Sequence, residues 1–339
     1  MQNYFLISFF TTILFLIILR PKATQFNLID IPGSRKKHEG YVPLIGGISL
    51  FFGVLASQIF LNEFNSIISI ILISSALILL LGIWDDIKNL KPKTKLFIQL
   101  ILVSSTIYLS GIKIESLGQL FFSSYLINLG ILSFPLTVIA IICLTNAFNM
   151  IDGLDGQAIV LTIIAIVGLF SFDLHIIDPS FFIYLLTILS GLIPVFFFNI
   201  INNNRFKVFL GDAGSLFLGF TISLAVIYSS QNAKIFSPSF SLWCVTIPLF
   251  DFFSVIIIRK IDNRSFIMAG RDHIHHLLET YGFSKIFILI LISTSGLGMM
   301  LLGYYIENNF PLLSFWAFIV LFLIYLLIRI YFKPKKNFI

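Results

Sequence analysis

Long apolar runs alternate with short polar segments along this chain of 339 residues. A helix of about 20 apolar residues crosses the roughly 30 Å hydrocarbon core of a bilayer, so each run predicts a transmembrane helix. Where a run is shorter, flanking residues or a locally thinner bilayer can make up the difference. We therefore predict an all-α polytopic integral membrane protein with about eleven transmembrane helices, at residues 4–19, 44–61, 66–83, 96–110, 130–145, 157–172, 181–198, 214–229, 240–258, 286–306 and 311–331.

The composition supports this membrane class. Hydrophobic residues make up 58% of the chain and charged residues only 11%, with a mean hydropathy of +1.00, so the apolar surface exceeds what a soluble core needs. No linker, repeat or change of composition divides the chain, and we predict a single multi-span domain over residues 1–339. Cys143 and Cys244 fall within predicted spans, where we expect small apolar packing residues and no disulfide.

The basic residues set the expected orientation. All but Lys113 and Lys234 of the 22 lysines and arginines lie in alternate loops and at the C-terminus. Short loops rich in lysine and arginine stay in the cytoplasm, so we expect the N-terminus outside and the C-terminus in the cytoplasm. The net charge of +6 could also indicate nucleic acid, but the charges flank spans and no nucleic-acid motif is present. We expect contacts with membrane lipids and no nucleic-acid partner.

Five aspartates adjoin apolar runs and face the cytoplasm in the predicted topology. They are Asp85 and Asp86 in LGIWDDIKN, Asp152 and Asp155 in NAFNMIDGLDG, and Asp212 in VFLGDAGS. A carboxylate at mid-membrane costs about 2.5–3.5 kcal/mol on insertion scales, so acids near hydrocarbon normally mark function. Simpler interpretations stay open for each motif: a polar helix end beside Trp84, a helix-to-loop transition, and an N-cap aspartate.

The spacing of these acids suggests how they could act. The adjacent Asp85 and Asp86 would point in different directions at a helix end. One could then bind a metal while the other positions or deprotonates a nucleophile. Asn149, Asp152 and Asp155 are three residues apart, which would align them on one face of a helix.

A histidine-rich segment, AGRDHIHHLLE, lies in a predicted inner loop. His273 and His276 would share a helical face and His275 would look elsewhere, so a zinc site would need a third ligand that the sequence does not supply. We favour binding of an anion or substrate by Arg271 and the histidines over zinc or a plain interfacial helix. Asp251, inside the run 240–258, is either a proton-relay group or the partner of a neighbouring helix.

Clustered acids repel one another and repel phosphate, so this constellation requires a cation. Oxygen ligands suit Mg²⁺, with Mn²⁺ as a substitute, and Mg²⁺ bridges carboxylates to substrate phosphates. Basic residues beside the acids, such as Lys207 near Asp212, indicate a multiply phosphorylated substrate. We infer that a soluble donor and a lipid acceptor meet at the inner membrane surface.

Four motifs give the chain a family resemblance: LGIWDDIKN, NAFNMIDGLDG, FNIINNNRFKVFLGDAGS and GRDHIHHLL. Their sequence and order resemble those of the polyprenyl-phosphate N-acetylhexosamine-1-phosphate transferases, over about residues 20–285. RKKHEGYVPLIGG, SLGQLF and HIHH look closer to the branch that transfers N-acetylglucosamine 1-phosphate to undecaprenyl phosphate. The peptidoglycan branch usually carries three consecutive histidines. The short tail KPKKNFI departs from the family but affects no motif.

The resemblance implies transfer of an N-acetylhexosamine 1-phosphate, foremost N-acetylglucosamine 1-phosphate, from a UDP-sugar to undecaprenyl phosphate, with release of UMP. It implies a bacterial inner-membrane enzyme with its active site on the cytoplasmic face, which initiates a lipid-linked surface glycan such as O-antigen and could form a homodimer. By the family pattern, Asp212 is a Mg²⁺ ligand, and Asp85 and Asp86 bind metal or act on the lipid phosphate. The other implied site residues are Asn149, Asp152 and Asp155 in the nucleotide-sugar pocket, Phe209 as a uracil stacking partner, Lys207, Arg271, His273, His275 and His276 on phosphate or sugar, and Lys36, Lys37 and His38 beside the cleft.

Other activities stay open or fit less well. Another UDP-N-acetylaminosugar or UDP-MurNAc-pentapeptide would use the same reaction. A CDP-alcohol phosphotransferase would need Ala-Arg where Gly156 and Gln157 follow the first Asp-Gly. A UbiA-type prenyltransferase would not explain FLGDAGS or HIHH. A cation-coupled transporter would bury its acids near the midplane between inverted repeats, whereas these acids cluster at one face and no repeat is evident.

Overall fold

The computed structural model describes residues 2–31, 40–61, 65–120, 125–172, 178–201, 205–265 and 270–333. Within these ranges the chain is predominantly helical. The α-helices are α1 (Gln2–Leu19), α2 (Gly46–Leu61), α3 (Ser66–Lys88), α4 (Pro92–Ser110), α5 (Ser133–Ile151), α6 (Gln157–Leu169), α7 (Pro179–Ile200), α8 (Gly211–Ile227), α9 (Pro238–Cys244), α10 (Thr246–Ile261), α11 (Ile274–Thr280), α12 (Lys285–Asn309) and α13 (Pro311–Tyr331). Two strands of two residues, β1 (Ile29–Asp30) and β2 (Val42–Pro43), pair antiparallel.

Within the described ranges, seven of these helical segments are long and apolar enough to cross a membrane: α1, α3, α5, α7, α8, α12 and α13. The pair α9 and α10 would be an eighth if the two form one span, and α2 and α6 are apolar but shorter. Each of the eleven apolar runs coincides with helical structure. The chain is therefore a helical, polytopic integral membrane protein, as the sequence predicts.

The run 240–258 does not form the continuous helix that its length predicts. α9 and α10 meet at Val245 with a bend of 85°. The cause is Pro248, which has no N–H to donate to the carbonyl of Cys244 and so cannot continue a helix through Val245. A proline is well tolerated in the first turn of a helix, where that N–H is not needed, and α10 begins just before Pro248.

Backbone packing groups the chain into two compact units. Unit 1 comprises Met1–Gly111 and Leu174–Thr221, and unit 2 comprises Ile112–Asp173 and Ile222–Ile339. The single-domain organisation expected from the sequence stays a prediction.

Glycines allow close helix packing in unit 1. α1 packs against α2 and α7, and α3 packs against α4. A Cβ atom on Gly47 of α2 would lie 2.1 Å from Cα of Gly214, and one on Gly82 of α3 would lie 2.4 Å from Cα of Ala213. Both α2 and α3 therefore contact the backbone at the start of α8, which brings the acidic end of α3 to that point.

A buried tryptophan organises unit 2. Trp243 of α9 fills the space beside Gly303 of α12, where a Cβ atom would lie 2.3 Å from Trp243 Cγ. Its Nε1–H donates to Ser314 Oγ of α13 at 3.1 Å. α12 also packs against α6, and α10 packs against α5 and α13. These contacts fix α10 and α13, which carry the buried Asp251 and Arg329.

Candidate active site

An acidic cluster lies in unit 1, where α3 ends and α8 begins. Asp85 and Asp86 lie in the last turns of α3, and Asp212 lies in the first turn of α8. Asp86 accepts the N–H of Asp212 through Oδ1 at 2.9 Å and the N–H of Ala213 through Oδ2 at 3.1 Å. Because the first N–H groups of a helix have no partner within that helix, the carboxylate of Asp86 caps α8.

Glycine is required for this capping contact. Gly211 has φ +76°, a conformation that favours glycine. A Cβ atom at this position would lie 2.8 Å from Asp86 Oδ2. The motifs LGIWDD and FLGDAGS therefore fit together through their glycines as well as through their acids.

The carboxylate of Asp85 points away from that of its neighbour, as the sequence predicts for adjacent residues at a helix end. Its Oδ2 lies 2.7 Å from Lys95 Nζ in the first turn of α4, and its Oδ1 accepts the N–H of Leu90 at 2.8 Å. Lys95 Nζ also lies 3.7 Å from Asp212 Oδ2. The left-handed Asn89, with φ 49°, ends α3 and lets the hairpin return Lys95 to the acids.

The donor set of the acidic cluster suits a divalent cation. Asp85 and Asp212 share one lysine ammonium, so positive charge is already drawn to this position. Carboxylate oxygens are the ligands that Mg²⁺ prefers. Among the described residues, no three acid, histidine or cysteine side chains are already grouped as ligands of one metal. Metal binding would therefore require Asp85 and Asp212 to turn from Lys95 towards the ion.

Lys207 and Phe209 lie on the segment that precedes α8. The N–H of Phe209 donates to the carbonyl of Pro43 at 2.8 Å, and its own carbonyl accepts from the N–H of Gly46 at 2.9 Å. Lys207 Nζ lies 5.5 Å from the centre of the Phe209 ring, a cation–π distance. A base that stacks on Phe209 would therefore share the ring with Lys207.

A second cluster of charged groups is buried in unit 2. Asp251 of α10 lies 2.6 Å through Oδ2 from His273 Nδ1, and its Oδ1 accepts the N–H of Ile274 at 2.8 Å. Arg329 of α13 donates to the same Oδ1 at 2.6 Å. Asp251 is thus the partner of a neighbouring helix, one of the two roles that its sequence position allows.

The histidine rings are arranged differently from the prediction. α11 begins only at Ile274, and His273 precedes it with an extended backbone, φ −71° and ψ 156°. The i, i+3 relation of a helix therefore does not apply to His273 and His276. The ring centres of His273 and His275 are 5.9 Å apart, and those of His275 and His276 are 4.2 Å apart. The expectation that His275 looks away from the others is wrong.

His275 lies against the NMIDGLDG segment. A Cβ atom on Gly153 would lie 2.0 Å from His275 Nε2, so only glycine leaves room for the ring. His275 Nδ1 is buried without a hydrogen-bond partner in the part of the chain that the structure describes. Burial, with a smaller contribution from the charge of His276, lowers the pKa of His275 to about 3. His275 is therefore neutral at physiological pH and cannot act as a cation for phosphate.

Asn149, Asp152 and Asp155 do not lie on one helical face, and this prediction is wrong. α5 ends at Ile151, and Asp152 follows with φ −75° and ψ 54°. Asp155 lies in the turn before α6, which starts after the left-handed Gly156 with φ 79°. The glycines of the motif favour this early end of the helix. The acids thus lie at a helix-to-loop transition, and all three polar side chains are half-buried.

Comparison of the sequence with known proteins identifies its relatives. Residues 68–230 match Glycosyl transferase family 4. An undecaprenyl-phosphate alpha-N-acetylglucosaminyl 1-phosphate transferase of Escherichia coli (strain K12) is 30% identical over 322 residues, which cover 94% of this chain and 87% of that protein. A protein of the same name from Yersinia pestis is 29% identical over 326 residues, covering 96% and 89%.

The chain belongs to glycosyl transferase family 4. Membership makes the protein an enzyme, a phosphoglycosyl transferase, and confirms the resemblance that the four motifs indicated. The family match spans α3 to α8 and so contains the acidic cluster and the NMIDGLDG segment.

Two basic residues of this family 4 enzyme, which the sequence analysis used only to orient the chain in the membrane, form ion pairs with acids of the motifs or with Asp251. Lys95 reaches two acids of unit 1, and Arg329 reaches Asp251 in unit 2. The sequence position of each residue could have indicated such a contact. Lys95 follows Asp85 by one short hairpin, and Arg329 lies inside the last apolar run, where a charge is costly.

The remaining candidate residues of the family 4 enzyme are more peripheral. Arg271 is exposed, and His276 Nδ1 lies 3.3 Å from Glu279 Oε2. Burial lowers the pKa of His276, and Glu279 partly opposes this shift. Lys36, Lys37 and His38 lie outside the described residues.

Proposed function

We propose that this family 4 enzyme transfers N-acetylglucosamine 1-phosphate from UDP-N-acetylglucosamine to undecaprenyl phosphate. A phosphate oxygen of the lipid attacks the β-phosphorus of the donor, the bond from that phosphorus to the bridging oxygen breaks, and UMP leaves with the electron pair. The product is a lipid-linked diphosphate sugar. The observation that carries the proposal is the match, over 87–89% of their length, to relatives whose name states this transfer.

The cofactor of the proposed reaction would be Mg²⁺, with Mn²⁺ as a substitute, and Asp85, Asp86 and Asp212 would hold it. When bound, it would neutralise charge on the donor diphosphate. The support is the chemistry of the donor set and the lysine ammonium that two of these acids already share.

In the proposed mechanism, Asp85 and Asp86 act by orientation rather than as a general base. A phosphate monoester has a second pKa near ~6, so about nine-tenths of it is dianionic at pH ~7. Even if a negative membrane surface raised that pKa by about a unit, a base would recover only about a factor of two. Asp86 suits an orienting role because both its oxygens hold the backbone that carries Asp212. We therefore favour direct single displacement without a covalent aspartyl intermediate.

Donor binding is assigned to basic, aromatic and polar side chains of the family motifs. Lys207 and Arg271 supply positive charge for the diphosphate, and Phe209 supplies a ring for the uracil. Burial lowers the pKa of His275, so this ring would offer the donor hydrogen bonds rather than positive charge. The other residues assigned to the donor are Asn149, Asp152, Asp155, His273 and His276.

For the membrane arrangement, we propose eleven spans with the N-terminus outside and the C-terminus in the cytoplasm. The distribution of basic residues supports this orientation. The motif acids fall on the same side as the basic loops in this arrangement, so the active site would lie on the cytoplasmic face of a bacterial inner membrane. The lipid product would start the synthesis of a surface glycan such as O-antigen.

A donor panel tests the proposed function. Purified protein is given undecaprenyl phosphate with UDP-N-acetylglucosamine, UDP-N-acetylgalactosamine or UDP-MurNAc-pentapeptide, and UMP is followed with and without Mg²⁺. We expect the fastest turnover with UDP-N-acetylglucosamine and none after chelation of divalent ions. One hydroxyl can be discriminated strongly where its loss leaves a buried polar group unpaired. Faster turnover with another donor would overturn the sugar assignment, and turnover with EDTA would overturn the metal.

A further inference from the structure

Arg329, near the end of the last helix, makes contacts with the histidine segment that its sequence position does not suggest. Its side chain is 4% exposed. Nη1 donates to Asp251 Oδ1 at 2.6 Å and to the hydroxyl of Tyr325 at 3.0 Å. Nη2 donates to the backbone carbonyl of Asp272. The planar guanidinium thus grips both the acid that contacts His273 and the residue immediately before His273.

The contacts around Asp251 determine the state of the His273 ring. Asp251 forms an ion pair with the permanently charged guanidinium of Arg329 and also accepts the N–H of Ile274, and both contacts stabilise its ionised carboxylate form. A carboxylate in this state can only accept, so Nδ1 of His273, at 2.6 Å from Oδ2, must carry a hydrogen. Nε2 is therefore the ring atom left for a ligand, as an acceptor when the ring is neutral and as a donor when it is protonated.

We propose that Arg329 is a positioning residue of the active site, which fixes His273 in the Nδ1–H form through Asp251 and through the carbonyl of Asp272. Fixing the second nitrogen of a histidine in this way sets its tautomer and ring orientation. The role rests on the proposed function, because it assigns His273 Nε2 to the nucleotide-sugar donor. It makes α13 part of the catalytic apparatus and more than a membrane anchor.

The fork shape of arginine gives the proposal a sharp variant. Arg329→Lys keeps the positive charge, but one ammonium cannot replace the planar pair of donors that reaches Asp251 and the Asp272 carbonyl. Arg264→Lys is the matched control. Arg264 also pairs with Asp272, through its side chain at 3.5 Å, and with Asp262 at 3.0 Å, and its side chain is 39% exposed.

The experiment is nitrogen NMR of the full-length protein in lipid nanodiscs, labelled with ¹⁵N-histidine. The chain has 5 histidines, and the signals of His273 are those lost in His273→Gln. In the wild-type protein we expect a protonated Nδ1 on His273. In Arg329→Lys we expect a mixture in which the Nε2–H tautomer is populated, with about 10- to 100-fold lower kcat, as for other partners that orient a histidine. Arg264→Lys should match the wild type in both measurements.

An unprotonated Nδ1 on His273 in the wild-type protein would overturn the proposal, and so would unchanged His273 signals and kcat in Arg329→Lys. If Arg329→Lys is not recovered from membranes, the wild-type spectrum still decides whether Nδ1 carries the proton. The NMR measurement needs no substrate. A protonated Nδ1 that shifts in Arg329→Lys, in a protein that does not transfer sugar phosphate, would therefore count against the proposed function alone.

Discussion

The three carboxylates of the acidic cluster differ in how strongly their surroundings hold them. Asp86 accepts two backbone N–H groups, and Asp85 is held by Lys95 and by the N–H of Leu90. The side chain of Asp212 is 42% exposed, and the lysine lies 3.7 Å from it. The side chain of Asp85, by comparison, is 10% exposed. Because Asp212 is more accessible than Asp85 to an ion that enters from outside, we expect it to matter most for metal binding.

Asp212→Asn should remove nearly all transfer activity while the protein stays inserted in the membrane. The amide keeps the size of the side chain but loses the charge. Losing one such electrostatic contact commonly costs about 2.7–4 kcal/mol, or 10²- to 10³-fold in kcat. UMP release measures the effect. Glu115→Gln is the matched control, because Glu115 is 65% exposed and pairs only weakly, with Lys113 at 3.3 Å. Wild-type rates in Asp212→Asn at ordinary Mg²⁺ would exclude the residue from the site.

Asp85→Asn and Asp86→Asn should stay severely impaired at pH ~9. At that pH the lipid phosphate is already dianionic, so a missing general base would no longer matter, whereas a missing orienting group still would. We expect at least one variant to need more Mg²⁺ for half-maximal UMP release. Full recovery of both variants at alkaline pH would support the general-base role instead. Isolation of a phosphosugar adduct on either residue would rule out single displacement.

At the scale of helices, the sequence predicted where apolar segments lie better than where helices start, stop or bend. The end of α5 at Ile151 depends on the glycines that follow it, and the break at Val245 depends on the position of Pro248. Because α11 begins only at Ile274, His273 has an extended backbone and contacts Asp251, which lies 22 positions earlier in the chain. Side-chain partners that distant in sequence leave no periodic pattern.

The same limit applies to the candidate site. The motifs predicted that Asp85, Asp86 and Asp212 act together, and the structure brings these three acids together. Lys95 and Arg329 belong to no motif that the sequence analysis recognised, and their basic charge was already explained by topology. Their roles follow only from the packing of α4 beside α3 and of α13 beside α10.

The junction between the turn after α5 and the histidine segment gives a prediction at this scale. Gly153→Ala should lower kcat at least 10-fold, because the new methyl group would lie 2.0 Å from His275 Nε2 and must displace the ring. Gly298→Ala in α12 is the control, since its Cβ atom would meet nothing within 4 Å. The double variant Gly153→Ala/His275→Ala should be no slower than His275→Ala alone. Additive losses would show that Gly153 acts independently of His275.

For the whole molecule, orientation in the membrane follows from the basic residues. Single cysteines are placed at Asn89, Asn263 and Asn232 in a protein lacking Cys143 and Cys244. Those at Asn89 and Asn263 should be shielded from an impermeant thiol reagent added outside intact cells, and that at Asn232 should react. If the cysteines introduced at Asn89 and Asn232 reacted from the same side of the membrane, the result would contradict the eleven-span arrangement.

Transfer of an intact sugar phosphate is tested most directly by following the β-phosphorus of the donor. UDP-N-acetylglucosamine labelled with ³²P at the β-phosphate is incubated with undecaprenyl phosphate, Mg²⁺ and the purified enzyme. The lipid, nucleotide and protein fractions are then separated. The label should move into the lipid as a diphosphate sugar, in equal amount to unlabelled UMP, and Asp212→Asn should abolish the movement. Label that stays with the nucleotide while the lipid gains sugar alone, or label bound to the protein, would contradict direct transfer of the sugar phosphate.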